Sequence, residues 1–169
     1  MKKKILVFGA SGTLGTNIIY YLKEKYNFVF NVHNQKIFFE NIDYCKIFKN
    51  DLRNRDDLYT NLKIIKPDIV INCAANTNLD FCEKFPSKSD FINAQFPIIL
   101  AKVCKDLSIK LVHISTDHLF NGIDKIKKKE NFRTDTINVY AKQKLFAEKN
   151  IIKHNSNSCL LYTSPSPRD

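Results

Sequence analysis

At 169 residues the chain has the length of a single domain, and 44% hydrophobic against 26% charged residues makes it too apolar for a disordered protein. No apolar run approaches the roughly 18 residues of a membrane span, so no membrane partner is expected. The formal charge of +10 comes from 27 Lys and Arg against 17 Asp and Glu, but 23 of the 27 are Lys, and the chain also holds 20 Ile and 18 Asn. That mixture reflects A/T-rich codons, whereas nucleic-acid interfaces favour Arg, so the excess charge reads as a solvated surface with no nucleic-acid partner.

The start, Met1-Lys2-Lys3-Lys4 before Ile5-Leu6-Val7-Phe8, imitates a signal peptide, but Gly9 and Gly12 break the apolar run and no cleavage site follows. Residues 4–8 then read as a strand, followed by a helix over 13–25 whose stripe is Leu14, Ile18, Ile19 and Leu22. Strands are expected at 28–32 and 44–48, and a helix at 55–65 on Leu58, Leu62 and Ile65. The run 68–73 is a nearly unbroken apolar strand, 89–106 has helical spacing, and 109–115 is a second central strand. A loop spans 118–135, its Lys run solvated, and a helix covers 136–153. Alternating strands and helices predict an α/β fold, a doubly wound parallel sheet of the Rossmann type with helices on both faces. Five cysteines (45, 73, 82, 104, 159) without a CxxC pair argue against a disulfide framework or a zinc site and fit a reducing cytoplasm. The four histidines (33, 113, 118, 154) have no metal-ligand spacing, and His113 reads as buried core.

The final run Cys159 to Asp169 (CLLYTSPSPRD) matches an in-frame translation of a common transposon-end sequencing adaptor. The expectation is therefore a truncated reading frame, with a domain over 1–158 and a non-native tail over 159–169 left out of the fold. Cys159 to Ser164 can nevertheless imitate a strand.

Two segments carry chemistry. Gly9-Ala10-Ser11-Gly12-Thr13-Leu14-Gly15 follows the first strand and opens the first helix. One glycine permits the tight turn, one admits a pyrophosphate to the backbone amides, and one lets helix and strand pack closely, with the helix N-terminus facing the anion. The spacing is G-x-x-G-x-x-G, and an ordinary glycine-rich turn is the bland alternative. The residue that selects the cofactor belongs near His33, Asn34 and Gln35, where no acid stands to hold a ribose 2′-hydroxyl; Lys36 tilts the choice between NADPH and NADH towards NADPH. The second segment is Ile114-Ser115-Thr116-Asp117 at a strand end, followed by Tyr140 and Lys144, four apart on one helix face. An ammonium one turn away is expected to lower the phenol pKa and make Tyr140 a useful acid. An amphipathic helix with an unrelated Tyr and Lys is the alternative.

Together these segments resemble the extended, sugar-nucleotide-modifying branch of the short-chain dehydrogenase/reductases, and within it the dTDP-4-dehydrorhamnose reductase family. The likeness covers most of residues 4–150. It includes Asp51-Leu52, the run Pro67 to Ala75, Thr77 with Asp80 and Glu83, Asn93-Ala94 with Pro97, and His113 to Asp117 through Phe120 and Gly122. The resemblance implies that Gly9, Ser11, Gly12, Thr13, Leu14 and Gly15 hold the cofactor pyrophosphate and that Asp51 and Leu52 flank the adenine. It further implies that Ala74, Ala75 and Asn76 line the cofactor ribose. Thr116 would polarise the substrate carbonyl beside Asp117, Tyr140 would donate the proton, and Lys144 would hold the nicotinamide ribose and tune Tyr140. Blander roles stay open: Asp51 as a helix cap, Ala74 and Ala75 as packing, Asp117 as a loop acid, and Asp80 with Glu83 as structural. His118 stands where the family has Tyr, a departure expected to touch only the periphery.

The implied activity is NAD(P)H-dependent reduction of a 4-keto nucleotide sugar, with that sugar as substrate partner and a homodimer left open. The family builds much of its substrate pocket from a C-terminal segment beyond these residues, so the substrate domain is expected to be missing here. A sugar-nucleotide epimerase or dehydratase, or a non-catalytic dinucleotide-binding regulatory subunit, are the other readings.

Overall fold

The computed structural model describes residues 2–31, 47–48, 52–121 and 132–163. Its order is β1 (Lys4–Phe8), α1 (Thr13–Leu22), β2 (Asn27–Asn31), β3 (Ile47–Phe48), α2 (Arg55–Ile65), β4 (Ile69–Asn72), α3 (Leu79–Lys84), α4 (Pro86–Asp90), α5 (Phe96–Asp106), β5 (Lys110–Thr116), α6 (Val139–His154) and β6 (Cys159–Thr163). A π-helical turn, Phe91–Gln95, joins α4 to α5, and a 3-10 turn, Asp117–Leu119, follows β5. The sheet runs β3-β2-β1-β4-β5-β6 with every pairing parallel, as the doubly wound expectation requires. The strand order reverses between β1 and β4, so the two connections that leave these strands diverge and open a crevice at their carboxyl ends.

Strand alternation sends β1 side chains to two cores. Leu6 and Phe8 join Leu58 and Leu62 of α2, Leu100 and Val103 of α5, and Ala147 and Ile151 of α6. Ile5 and Val7 instead pack with Ile19 of α1 and with Phe28 and Phe30 of β2. Coverage of both faces was expected for the whole sheet, and here the structure differs. The connections β3 to β4, β4 to β5 and β5 to β6 all move the same way along the sheet, so right-handed crossover places α2, α5 and α6 on one side. Among the described residues only α1, on the reverse move from β1 to β2, covers the other. Ile69 and Ile71 of β4 still pack half-buried against this second core, while Val112 and Ile114 of β5 are half-buried and Leu161, paired in register with Ile114, is exposed.

Three further differences concern boundaries. The helix expected over 89–106 is divided, and α3 and α4 precede it where no element was expected. Asn78 starts α3 by accepting from Phe81 N–H at 2.8 Å, and Pro86 occupies the first turn of α4, where its missing donor costs nothing. Cys159–Thr163, set aside with the tail, pairs with five consecutive residues of β5 from Val112 to Thr116. No described helix is long and apolar enough to cross a membrane.

Candidate cofactor and catalytic site

The three glycines of the first turn meet three different constraints. Gly9 has φ +72°, and a Cβ there would lie 2.6 Å from Ala74 N and 2.7 Å from the Cys73 carbonyl carbon. It is the close approach that seats the turn against the end of β4. At Gly15 a Cβ would come within 2.8 Å of Ala10 Cα, so this glycine lets α1 lie against the turn. Gly12 differs: its Cβ would meet only Gly9 O, at 3.4 Å, an ordinary contact. Nothing in the described protein requires glycine there. Gly12 is also the N-cap of α1, with no side chain capping the helix end and no acid in its first turn. Exposed Gly12, Thr13 and Leu14, with half-buried Ser11, therefore border an open cradle with N–H donors and the positive end of a ten-residue helix. Such a helix end offers the donors and the positive dipole that an anionic group requires.

Beside it runs the loop Ala74, Ala75 and Asn76, all partly buried. Its shape is set by a side chain from the π-helical turn. Asn93, fully buried, accepts from Asn76 N–H at 2.8 Å and donates to Asn76 O at 3.0 Å. Leu52 packs half-buried against the larger core. Asp51, the residues 33–36 invoked for cofactor choice, and Gly122 lie outside the described residues.

The second cluster forms one strand further along. Thr116 ends β5, buried, its hydroxyl accepting from His118 N–H at 3.2 Å as it starts the 3-10 turn. Tyr140 lies in the first turn of α6, buried, where the Thr116 hydroxyl acts on its phenol and favours the ionised form. The helix that carries Tyr140 is fixed at its start twice. Asn138 accepts from Ala141 N–H at 2.7 Å, and Glu83 Oε1 accepts from Val139 N–H at 2.7 Å, which gives Glu83 the structural role expected of it. Asp117 faces the phenol electrostatically, and the His118 ring stands edge-on to the Tyr140 ring at 5.9 Å between centroids. His118 is thus a direct neighbour of the phenol rather than peripheral, because the 3-10 turn folds it back over α6.

Lys144 shares the helix face of Tyr140 but is engaged elsewhere. Its Nζ donates to Ile114 O at 2.6 Å and lies 3.0 Å from His113 Nε2. The expected lowering of the phenol pKa by this ammonium does not operate. Burial pushes Tyr140 above the usual tyrosine value, Thr116 as a donor pulls it down, and Cys82 and Asp117 push it up. Burial also draws Lys144 down to about 8, against the opposing pull of Glu148 and Cys73.

The two clusters are joined through Cys73. Its backbone packs under Gly9 and its thiol, pushed up to about 11 chiefly by burial, feels the charge of Lys144. The sequence reading placed His113 in the core, as found, but gave it no partner and gave no role to Asn72 or Gln143: Asn72 and His113 are hydrogen-bonded at 3.1 Å across the register of β4 and β5, and Gln143 accepts from Asn93. The available signal was a polar residue on the buried face of an otherwise apolar strand, which requires a partner.

The sequence profile described as the RmlD substrate binding domain matches residues 2–165. The dTDP-4-dehydrorhamnose reductase of Escherichia coli (strain K12) is 30% identical over 161 residues, covering 95% of this chain and 50% of that protein. A crystal structure of the dTDP-4-dehydrorhamnose reductase from Bacillus anthracis in complex with NADP superposes with a TM-score of 0.81 at 27% identity, over 97% of this chain and 54% of that one. UDP-glucose 4-epimerase from Brucella ovis in complex with NAD shares the fold at a TM-score of 0.82 and 18% identity, over 95% of this chain and 51% of that one. The chain spans about half the length of the curated relatives it matches.

Proposed function

The chain belongs to the RmlD substrate binding domain family, and from that membership we propose that it is the nicotinamide-binding half of an NAD(P)H-dependent reductase of 4-keto nucleotide sugars. The observation that carries this reading is that the Thr116 hydroxyl and the buried Tyr140 phenol act on one another at the carboxyl end of β5, two strands from a glycine cradle that the described residues leave open.

Thr13 and Leu14 would hold the diphosphate through backbone N–H groups and the dipole of α1, and Gly12, its own N–H donating to Gly9 O, would leave room for it. Ala74, Ala75 and Asn76, held by Asn93, would form the wall along the ribose. A nicotinamide held there would supply hydride for reduction of a carbonyl. Tyr140 stands protonated at neutral pH, as its upward shift requires, and its phenol donates the proton to the oxygen that becomes the alcohol. Thr116, sharing that proton network, hydrogen-bonds the carbonyl and then the phenolate that remains. Lys144 contributes an N–H towards the ribose beside Tyr140. The reading gives NADPH or NADH as cofactor, and dTDP-4-dehydrorhamnose or a close 4-keto relative as substrate.

Two measurements test it. Titration of the 169-residue chain with NADPH and NADH, followed by tyrosine fluorescence, is expected to saturate for at least one. A protein carrying these residues together with a C-terminal segment of the relatives' length, given NADPH or NADH with dTDP-4-keto-6-deoxy sugars, is expected to oxidise the cofactor; no oxidation with any of them sinks the proposal.

A further inference from the structure

Lys144 is 1% exposed, yet the groups it touches carry no opposite charge: Nζ donates to Ile114 O at 2.6 Å and lies 3.0 Å from His113 Nε2. An ammonium taken out of water in this way needs an anion within reach. The elements packed against α6 bring several ionisable groups close, and most are engaged or neutral. Glu83 of α3 accepts from Val139 N–H, and Asp90 of α4 accepts from the Gln95 side chain. Cys82 and Asp117 act on the Tyr140 phenol, and the His118 ring stands against it. Burial pushes the thiols of Cys73 and Cys104 up to about 11 and about 12 and holds the His113 imidazole well below its usual value, so these three are neutral at neutral pH.

Glu148 remains, four residues on along the same helix. Helical side chains lean towards the N-terminus, so its carboxyl lies over the turn that carries Lys144. It is 7% exposed and meets two hydroxyls from residues paired in register on β5 and β6. The Tyr162 phenol donates to Oε2 at 3.3 Å, and the Ser115 hydroxyl favours the ionised form. Oε1, also buried, has no hydrogen-bond partner among the described residues. A carboxylate with an unpartnered buried oxygen needs a cation as much as Lys144 needs an anion. We propose that Glu148 is a positioning residue, the buried counter-charge that keeps Lys144 an ammonium and so holds it against Ile114 O and His113.

The attraction acts across the interior rather than through a contact ion pair, in surroundings whose effective dielectric is well below that of water. It is mutual: burial draws Lys144 down to about 8 and raises Glu148, and each opposes the other's loss of charge. An ammonium that titrates near 8 keeps a margin of about one unit over neutral pH, so the pull of one carboxylate decides how much of it stays charged. Cys73 pulls the same way only once it ionises, at about 11, which leaves Glu148 to act where Lys144 titrates. What the ammonium does beside a bound cofactor rests on the reductase reading. The pairing of the two charges rests on this chain's interior, and a failure of the reductase assay would leave it standing.

NMR titration of the 169-residue chain tests this, with Lys144 Cε and Nζ and Glu148 Cδ assigned by through-bond correlation from the backbone. In the wild type, Glu148 Cδ is expected to report an ionised carboxyl at pH 7 and to step a second time at the Lys144 midpoint, as coupled groups do. A neutral carboxyl at pH 7, or no second step, overturns the proposal. Glu148→Gln keeps the shape and removes the charge, and the Lys144 midpoint is expected to fall by about half a unit or more. Tyr162→Phe takes a donor from the same cluster but leaves the carboxylate its charge, so there the Lys144 midpoint is expected to stay. An unmoved midpoint in Glu148→Gln, or an equal fall in both variants, refutes the counter-charge. Should Glu148→Gln fail to fold, the two wild-type readings of Glu148 decide alone.

Discussion

Asn93 Nδ2 donates to Gln143 Oε1 at 2.9 Å, joining the π-helical turn to α6 across fifty residues of sequence. Through the same side chain, Asn93 holds both backbone polar groups of Asn76. The candidate ribose wall and the helix of Tyr140 are thereby fixed to each other by one buried amide. Gln143 is in turn anchored by Pro86 O and Ser89 Oγ, each at 2.9 Å. Replacing Asn93 with Ala leaves Asn76 N–H and the Gln143 carbonyl without partners in the interior, which is expected to cost about 2–4 kcal/mol. Urea unfolding checks this, and a loss below about 0.5 kcal/mol would show that the amide is dispensable. Any NADPH or NADH binding should weaken in the same variant, because the wall loses its support.

The glycines separate folding from binding. Gly15→Ala places a Cβ within 2.8 Å of Ala10 Cα, and backbone cannot yield cheaply, so a stability loss of about 2 kcal/mol or more is expected. Gly12→Val meets no such obstacle and should melt within a few degrees of wild type, while its side chain fills the cradle and abolishes cofactor binding. Thermal melts with fluorescence titration measure both. Unchanged affinity in Gly12→Val would remove the diphosphate from this turn.

These contrasts also mark what could be read from sequence. β1 and α2 occur at the expected residues because a bounded apolar run and a clean helical stripe are local signals. The break inside 89–106 was invisible to a period of 3.6, since the π turn adds one residue and closes Phe96 N–H onto Phe91 O. That added residue is what buries Asn93 and Ala94, so the missed feature is the one that supports the site. Among the described residues, the one-sided coverage of β5 and β6 was equally illegible, being a consequence of crossover direction. The Tyr140 and Thr116 pairing was legible as spacing plus family likeness. The engagement of Lys144 with His113 was not, because it depends on strand register.

Thr116 holds the phenol's titration below where burial alone would set it. Thr116→Val keeps the shape and removes the hydroxyl, so the Tyr140 pKa is expected to move further up. Ultraviolet difference titration against Tyr140→Phe isolates this one of the seven tyrosines. A midpoint that falls or stays would mean that the hydroxyl does not donate to the phenolate. If the proposed reductase role holds, the same variant placed in a chain of the relatives' length is expected to reduce turnover more than cofactor affinity.

His113 sets an acid limit on folding. Its folded pKa is depressed well below 6.5 while the unfolded chain titrates near that value, so the unfolded state binds the extra proton first. The stability contributed by the neutral buried ring is therefore complete above about pH 6.5 and is lost progressively as the pH falls below it, with a slope approaching one proton, about 1 kcal/mol per pH unit. Glu148 acts in the opposite sense at lower pH: burial raises its folded pKa, so the folded state takes up the proton first and gains as the pH falls from the raised value towards 4.5. Comparing wild type with His113→Gln removes the Glu148 contribution, which both proteins share. The variant is expected to lose the slope between about pH 6.5 and 5 whatever its absolute stability. Parallel curves for the two proteins across that window would show that the ring is charged, or solvated, in the folded chain, and the assignment of a neutral His113 would fall with it.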